Sequence, residues 1–114
     1  VEADKVRISQ VLNNLISNAV KYGREKGNVF VGFSITENTV LTEISDDGMG
    51  IAQEHLSRLF ERFYRVDKAR SREKGGTGLG LSIVKHILEA HGQAVNVRST
   101  VGIGTTFSFA LKLA

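Results

Sequence analysis

The chain has 114 residues, a net charge of +3 at pH 7 and no cysteine. This length fits one domain with its own core, and the absence of cysteine excludes disulfides and thiolate metal sites. No apolar run approaches the ~20 residues that a transmembrane helix requires. We therefore expect residues 1–114 to form a single domain. Because the chain begins at Val1 rather than at methionine, we also expect it to be a fragment of a longer protein.

The first half of the sequence predicts a helix followed by a hairpin. Asp4 is a candidate N-cap, and apolar residues recur at helical spacing after it, which predicts a helix over Lys5–Tyr22. Two β-rich runs follow, Val29–Thr36 and Thr39–Ser45. Only Glu37-Asn38 joins them, and the simplest interpretation is an antiparallel hairpin.

The second half predicts two helices and a closing hairpin. The helices are expected over Ala52–Phe60 and over Gly78–His91, the second ending at Gly92 as a left-handed cap. The strands are expected over Val95–Ser99 and Thr105–Lys112. Helices mixed with hairpin-joined strands predict an α+β fold, in which helices cover one face of a sheet.

A cluster of glycines, Gly75–Gly80, opens directly into the apolar part of the second long helix. Closely spaced glycines let a ligand approach the backbone, and a helix N-terminus favours an anion such as phosphate. A flexible turn explains the same composition equally well. The spacing is not that of the dinucleotide fingerprint, and Leu81-Ser82 stands where a P-loop requires Lys-Ser/Thr.

The positive charge of the chain is concentrated just before these glycines. Arg58–Lys74 contains seven basic and three acidic residues, so this segment carries +4 and the remainder of the chain −1. A solvated charged loop is one interpretation. A small polyanion held between this segment and the glycines fits the distribution better than a broad nucleic-acid footprint.

Three polar residues of the first helix share one stripe. Asn14, Asn18 and Lys21 lie within about 60° of one another on a helix, beside an apolar face centred near Leu15. Two amide oxygens one turn apart can bind Mg²⁺, which completes its shell with water and phosphate oxygens. Lys21 would then reach the phosphates as a point charge. A pair of surface asparagines beside the core is the alternative.

The segment Asp46–Ile51 follows the second predicted strand and reads Asp-Asp-Gly-Met-Gly-Ile. A carboxylate at the end of a strand can accept a hydrogen bond from an exocyclic amine. The glycines would admit a flat ring close to the backbone. An ordinary Asp-Gly turn is the alternative.

Five segments, in this order, resemble the boxes that define the ATP-binding catalytic domain of bacterial sensor histidine kinases. They correspond to the N box, the first glycine box, the F box, the second glycine box and the last glycine box: Asn14–Tyr22, Asp46–Ile51, Leu59–Asp67, Gly76–Leu81 and Gly102–Phe107. The F box separates this family from the chaperone, gyrase and mismatch-repair ATPases of the same fold. The chain departs from the usual pattern at Asp47, Met49 and Gln93, where Asn, Pro and Gly are common.

The resemblance implies a two-layer α/β sandwich of the Bergerat type, with a mixed, mostly antiparallel sheet, that binds ATP and Mg²⁺. Asp46 would accept a hydrogen bond from the adenine amine, and Gly48, Gly50 and Ile51 would shape the base pocket. Asn18, with Asn14 beside it, would hold the Mg²⁺ ion.

The resemblance also assigns the ribose and phosphate contacts. Lys21 and Tyr22 would face phosphate or ribose, and Lys21 and Arg70 would position the phosphates for transfer. The other residues expected at the nucleotide are Arg65, Gly76, Thr77, Gly78, Leu79, Gly80, Leu81, Thr105 and Thr106.

The resemblance implies transfer of the γ-phosphate to a histidine on a separate dimerisation domain, and indirectly to a response regulator. None of His55, His86 and His91 is followed by an acidic residue, as the family's phosphoacceptor is, so that histidine is expected outside this chain. The parent is expected to be a membrane-associated homodimer with this domain in the cytoplasm, and the isolated domain to be monomeric and not to bind nucleic acid.

Two alternatives remain open from the sequence. One is another ATPase, or a serine-phosphorylating anti-sigma factor, of the same fold. The other is a nucleic-acid-binding module that uses the basic segment Arg58–Lys74. Steep salt dependence of DNA affinity would distinguish the second.

Overall fold

The structure is a computed structural model that describes residues 4–22, 27–61 and 80–112, with the side chains of Lys21 and Tyr22 outside the description. Three helices and four strands are present in these residues. They are α1 (Lys5–Tyr22), β1 (Val29–Thr36), β2 (Thr39–Asp46), α2 (Gln53–Leu56), α3 (Gly80–Ala90), β3 (Val95–Thr100) and β4 (Gly104–Lys112). Helix α1 and strand β1 have the predicted bounds, and β2, β3 and β4 are each one residue longer than expected. Helix α3 ends at Ala90, one residue before the predicted His91, and the predicted first two residues, Gly78 and Leu79, lie outside the described residues.

The four strands form one sheet in the order β1-β2-β4-β3. All three pairings among the described residues are antiparallel. The inner face packs against the helices, because the buried residues of β2 and β4 alternate with less buried ones. The outer face carries polar contacts such as the ion pair between Arg98 and Glu43, 3.0 Å apart. The expected two-layer α+β architecture is confirmed.

Helix α1 begins where the sequence predicts. Asp4 Oδ1 accepts hydrogen bonds from the backbone N–H groups of Val6 and Arg7 at 3.1 and 3.2 Å, which caps the first turn. The Asp4 N–H donates to His91 Nε2 at 3.0 Å, and the opposite ring nitrogen of His91 donates to the carbonyl of Ile87. His91 therefore ties the start of α1 to the end of α3.

Helix α2 is shorter than the predicted Ala52–Phe60, and this prediction was wrong in its end point. The helix covers Gln53–Leu56, and the chain continues through turns whose N–H groups bond three residues back, as Arg58 does to His55. Leu59 is buried, and the ring of Phe60 meets that of Phe107 edge-on at 6.2 Å. Packing of these two side chains on the sheet outweighs continuation of the helix.

Helix α3 ends in the predicted left-handed cap. Gly92 has φ 71°, its N–H donates to the carbonyl of Glu89, and the N–H of Gln93 donates to that of Leu88. This pair of bonds is a Schellman motif, which satisfies carbonyls that the helix end leaves open. It also directs the chain back toward the sheet as β3.

The core lies between the helices and the inner face of β2 and β4. Its buried apolar members are Val11, Leu15, Ala19, Ile44, Leu59, Val84, Ile87, Leu88, Phe107, Phe109 and Leu111. Strand β1 contributes little, since Phe33 and Ile35 are 66% and 70% exposed. In the described part of the chain, no helix is long and apolar enough to cross a membrane.

Candidate functional site

A row of polar side chains crosses one end of the sheet on its inner face. Asp46 of β2 is paired with Thr105 of β4, and Thr105 is paired with Ser99 of β3. The next row toward the core, Ile44, Phe107 and Val97, is apolar. The polar row therefore stands between the hydrophobic core and the loops that follow β2 and β3.

Asp46 is partly buried at the end of β2. Its Oδ1 accepts a hydrogen bond from the N–H of Gly48 at 2.9 Å. Burial raises the pKa of Asp46 above its ordinary value, and repulsion from the neighbouring Asp47 carboxylate raises it further, while the N–H groups of Gly48 and Thr105 act in the opposite direction. A carboxylate in this setting gains from a hydrogen-bond donor brought by a ligand.

Two glycines let three backbone segments meet beside Asp46. Gly50 has φ 76°, and a Cβ on it would lie 2.2 Å from the carbonyl oxygen of Thr100. Gly104 has φ 151°, and a Cβ on it would lie 2.0 Å from the carbonyl oxygen of Asp46. No side chain larger than hydrogen fits at either position without moving the backbone. The approach also allows the N–H of Gly102 to donate to the carbonyl of Met49 at 2.7 Å.

Ser99 joins the same three segments through its hydroxyl. Ser99 Oγ accepts the N–H of Ile51 at 2.7 Å and donates to the carbonyl of Gly104 at 3.0 Å. It also lies 2.8 Å from Thr105 Oγ1, and Thr105 is only 5% exposed. The turn after β2 is thus fastened to both strands of the closing hairpin.

Asp47 fastens the other side of this turn. Its Oδ1 accepts the backbone N–H of Asn28 at 2.8 Å, and its Oδ2 accepts from the Asn28 side chain at 3.2 Å. Asn28 directly precedes β1, on the connection from α1. The departure from the usual Asn at position 47 therefore leaves the turn well held.

Asn14 and Asn18 lie half-buried on α1, as the stripe predicts. Asn14 Nδ2 donates to the carbonyl of Gly80, the first residue of α3, at 3.4 Å. Because that carbonyl can only accept, the amide is oriented with its Oδ1 available to a cation. Among the described residues no cluster of three or more His, Cys, Asp and Glu could hold a metal ion. Amide oxygens are among the oxygen ligands that Mg²⁺ accepts.

The structure brings together some of the predicted site residues and not others. Asp46, Gly48, Gly50, Ile51 and Thr105 meet at one end of the sheet. Thr106 does not join them, because successive strand residues face opposite ways, and its hydroxyl pairs with that of Ser45 at 2.8 Å on the outer face. Its role at the nucleotide stays a prediction.

The remaining predicted residues are placed only in part. Gly80 and Leu81 begin α3, with Leu81 packed against the core. Lys21 and Tyr22 end α1, but their side chains are not described. Six predicted residues lie outside the described residues: Arg65, Arg70, Gly76, Thr77, Gly78 and Leu79.

Sequence reasoning missed Ser99 and Asn28. Each acts through a residue far away in the sequence, Ser99 through Ile51 and Asn28 through Asp47. The alternation of Val95, Val97 and Ser99 on one face of β3 was the available signal for Ser99, because it places a hydroxyl at the end of an apolar row.

One known protein family matches nearly the whole chain. The model of the histidine kinase-, DNA gyrase B- and HSP90-like ATPases matches residues 3–114. The chain belongs to this family of ATP-binding domains.

Among curated proteins the chain is similar to sensor kinases. It is 49% identical over 113 residues to the sensor histidine kinase WalK of Bacillus subtilis, a match that covers 97% of this chain and 18% of WalK. It is 48% identical over 104 residues to the sensor protein SrrB of Staphylococcus aureus, covering 91% of this chain and 18% of SrrB. The chain thus spans less than a fifth of the length of these relatives.

Solved structures of histidine kinases share the fold. The catalytic domain of histidine kinase ThkA has a TM-score of 0.83 at 32% identity, covering 98% of this chain and 70% of that one. Full-length ShkA, solved in complex with AMPPNP, has a TM-score of 0.84 at 36% identity, covering 98% of this chain and 23% of that one. The mycobacterial sensor histidine kinase MprB gives 0.81 at 30% identity, covering 96% and 72%.

Proposed function

We propose that this chain binds Mg·ATP and presents the γ-phosphate to a histidine on a separate domain of the same kinase. The observation that carries the proposal is the partly buried Asp46 carboxylate, set beside Thr105 where Gly50 and Gly104 let the surrounding backbone segments approach one another closely. That ShkA was solved with AMPPNP supports an adenine nucleotide as the ligand.

The base would bind at the end of the sheet. Asp46 would accept a hydrogen bond from the adenine amine, and the bond from Gly48 to Oδ1 fixes the carboxylate for this. Ile51, partly buried against the core, would provide an apolar contact to the ring. The flat ring would lie against the backbone of Gly48 and Gly50.

The phosphates would lie between α1 and the start of α3. The contact between Asn14 and Gly80 brings these two elements together. Asn18 and Asn14 would hold Mg²⁺, which neutralises phosphate charge when bound. The described N-terminus of α3 favours an anion. Lys21, Tyr22, Arg65, Arg70 and the run Gly76–Leu81 would complete the phosphate and ribose contacts.

The chain's contribution to phosphoryl transfer would be positioning and charge neutralisation. The accepting histidine would lie on a dimerisation domain, with a response regulator receiving the phosphoryl group in turn. We further propose that residues 1–114 are one domain of a longer kinase, a membrane-associated homodimer, and that this domain faces the cytoplasm. As an isolated domain it would be monomeric and would turn over ATP poorly.

Calorimetric titration of Mg·ATP into the wild type and Asp46→Asn tests the base assignment. We expect at least about a tenfold loss of affinity in the variant. Its amide oxygen would keep the hydrogen bond from the Gly48 N–H, so its NH₂ group would face the adenine amine and both donors would lack an acceptor. Asp47→Asn is the matched control, since it changes the adjacent carboxylate in the same way while keeping an acceptor for Asn28. Equal affinities for wild type and Asp46→Asn would contradict the assignment.

The kinase activity is tested by adding a histidine-bearing dimerisation domain from the parent protein to this chain. Incubation with Mg·ATP should produce acid-labile phosphate on the added domain. Phosphate that is stable to acid would instead indicate a serine kinase of the same fold.

A further inference from the structure

The hydroxyl of Ser99 lies at the centre of three hydrogen bonds beneath the proposed base site. Its partners are the N–H of Ile51 at 2.7 Å, the carbonyl of Gly104 at 3.0 Å and the hydroxyl of Thr105 at 2.8 Å. Ser99 itself is half-buried on the inner face of β3. It stands at the β3 end of the row that also contains Thr105 and Asp46.

A count of protons fixes the direction of each of these bonds. Ser99 has one hydroxyl proton, and the carbonyl of Gly104 can only accept, so that proton lies on the bond to Gly104. The bond between the two hydroxyls must then be donated by Thr105. Ser99 Oγ accepts from Thr105 and from the N–H of Ile51, which uses both of its lone pairs.

These bond directions determine what the Thr105 hydroxyl can offer to a ligand. Because its proton is committed to Ser99, its hydroxyl offers only lone pairs to a ligand. Thr105 is the cross-strand partner of Asp46, so two acceptors stand side by side at the end of the sheet. An exocyclic amine carries two protons and can satisfy both, directly or through a water molecule.

We propose that Ser99 is a positioning residue that sets base selectivity: it holds the Thr105 hydroxyl as an acceptor beside Asp46, so that the site takes a 6-amino purine and rejects a 6-oxo purine. A 6-oxo group would bring a third acceptor against these two. The proposal rests on the proposed function, since it concerns the same nucleotide site.

Affinities for Mg·ATP and for the magnesium complex of inosine triphosphate test this proposal. The two nucleotides share ribose and phosphates and differ at position 6 of the purine. We expect the wild type to prefer ATP. We expect Ser99→Ala to narrow that preference about fivefold or more, because the Thr105 hydroxyl is then free to turn its proton toward a 6-oxo group. Ser99→Thr keeps the hydroxyl and should keep the preference.

Two further variants serve as controls. Ser99→Cys keeps nearly the same shape with a much weaker hydrogen-bonding group, so it should narrow the preference even if Ser99→Ala fails to fold. Ser45→Ala removes a serine hydroxyl that also lies 2.8 Å from a threonine hydroxyl, on the outer face of the sheet. Its ratio of the two affinities should equal that of the wild type.

The outcomes separate the two proposals. If wild type fails to prefer ATP, the base assignment itself is wrong. If wild type prefers ATP and Asp46→Asn loses this preference while Ser99→Ala and Ser99→Cys retain it, only the role of Ser99 is overturned. Parallel loss of both affinities in the Ser99 variants, with an unchanged ratio, would likewise overturn it, since a merely structural hydroxyl predicts that result.

Discussion

Two features of the free domain make ionisation of the Asp46 carboxyl unfavourable. Burial disfavours its charged form, and so does the adjacent Asp47, which together raise its pKa. When the pKa of a group is higher in the folded state than in the unfolded state, its protonation stabilises the fold. This stabilisation is complete at pH values below the unfolded-state pKa, and it is lost as the pH rises through the folded-state pKa. Ionisation of Asp46 in the free domain therefore costs free energy, and a ligand that donates a hydrogen bond to the carboxylate offsets that cost.

The same shift predicts how nucleotide binding depends on pH. In the proposed site, ionised Asp46 would accept a hydrogen bond from the adenine amine. The affinity for Mg·ATP should therefore fall as the pH decreases through the pKa of Asp46, and at a higher pH than for an ordinary aspartate. Asp47→Asn removes the neighbouring charge, lowers the pKa of Asp46 and should move this loss to lower pH. Calorimetric titrations with Mg·ATP at a series of pH values from about 4 to about 7 measure this pH dependence, because the range starts near the ordinary carboxyl pKa.

The comparison must be made between variants under identical conditions, because the nucleotide also titrates in this range. Its own protonation then affects wild type and Asp47→Asn equally and cancels in the difference. If the affinity of the two proteins depends on pH in the same way, the charge of Asp47 does not affect the pKa of Asp46.

At the scale of helices and strands, the sequence was sufficient to predict features that depend on residues close together in the chain. The cap at Asp4, the Schellman motif at Gly92 and the hairpin turn after Thr36 each involve residues a few positions apart. The end of α2 was not predictable in this way, since Phe60 turns toward Phe107, which is distant in the sequence. The hydrogen bond from the Ile51 N–H to Ser99 Oγ could not be predicted for the same reason, because these two residues are far apart in the sequence.

The cap of α1 gives a prediction at this scale. Asp4→Ala leaves the N–H groups of Val6 and Arg7 without the Asp4 carboxylate as their acceptor. We expect unfolding free energy to fall by about 1 kcal/mol, as for other lost N-caps. Urea denaturation measures the change, and Asp4→Asn, which keeps an acceptor oxygen, should lose only a fraction of it. A loss of similar size in both variants would exclude capping as the cause.

For the molecule as a whole, the site is built where separate parts of the chain converge. The turn after β2 contacts β3, β4 and the residue before β1, while α1 contacts the start of α3. The sequence predicted this convergence only through the family resemblance, because no local pattern relates Asn14 to Gly80 or Asp46 to Gly104. A ligand that touches these parts at once should stabilise the entire fold.

Thermal unfolding with and without nucleotide tests that expectation. A ligand that binds only the folded state at about 100 times its Kd adds about 2.7 kcal/mol to the unfolding free energy. We therefore expect Mg·ATP to raise the Tm of the wild type by several degrees, and to raise that of Asp46→Asn much less at the same concentration. An equal rise in both proteins would indicate that the phosphates alone account for binding.

The open outer face of the sheet has a practical consequence. Asn96 lies exposed on β3, and the side chains of its neighbours Val95 and Val97 face the helices. Asn96 therefore points away from the inner-face row of Asp46, Thr105 and Ser99. Since the chain contains no cysteine, Asn96→Cys would supply a unique thiol for covalent attachment. A protein tethered there would present its nucleotide site to the solution in a single orientation, which suits surface-based measurement of ligand exchange.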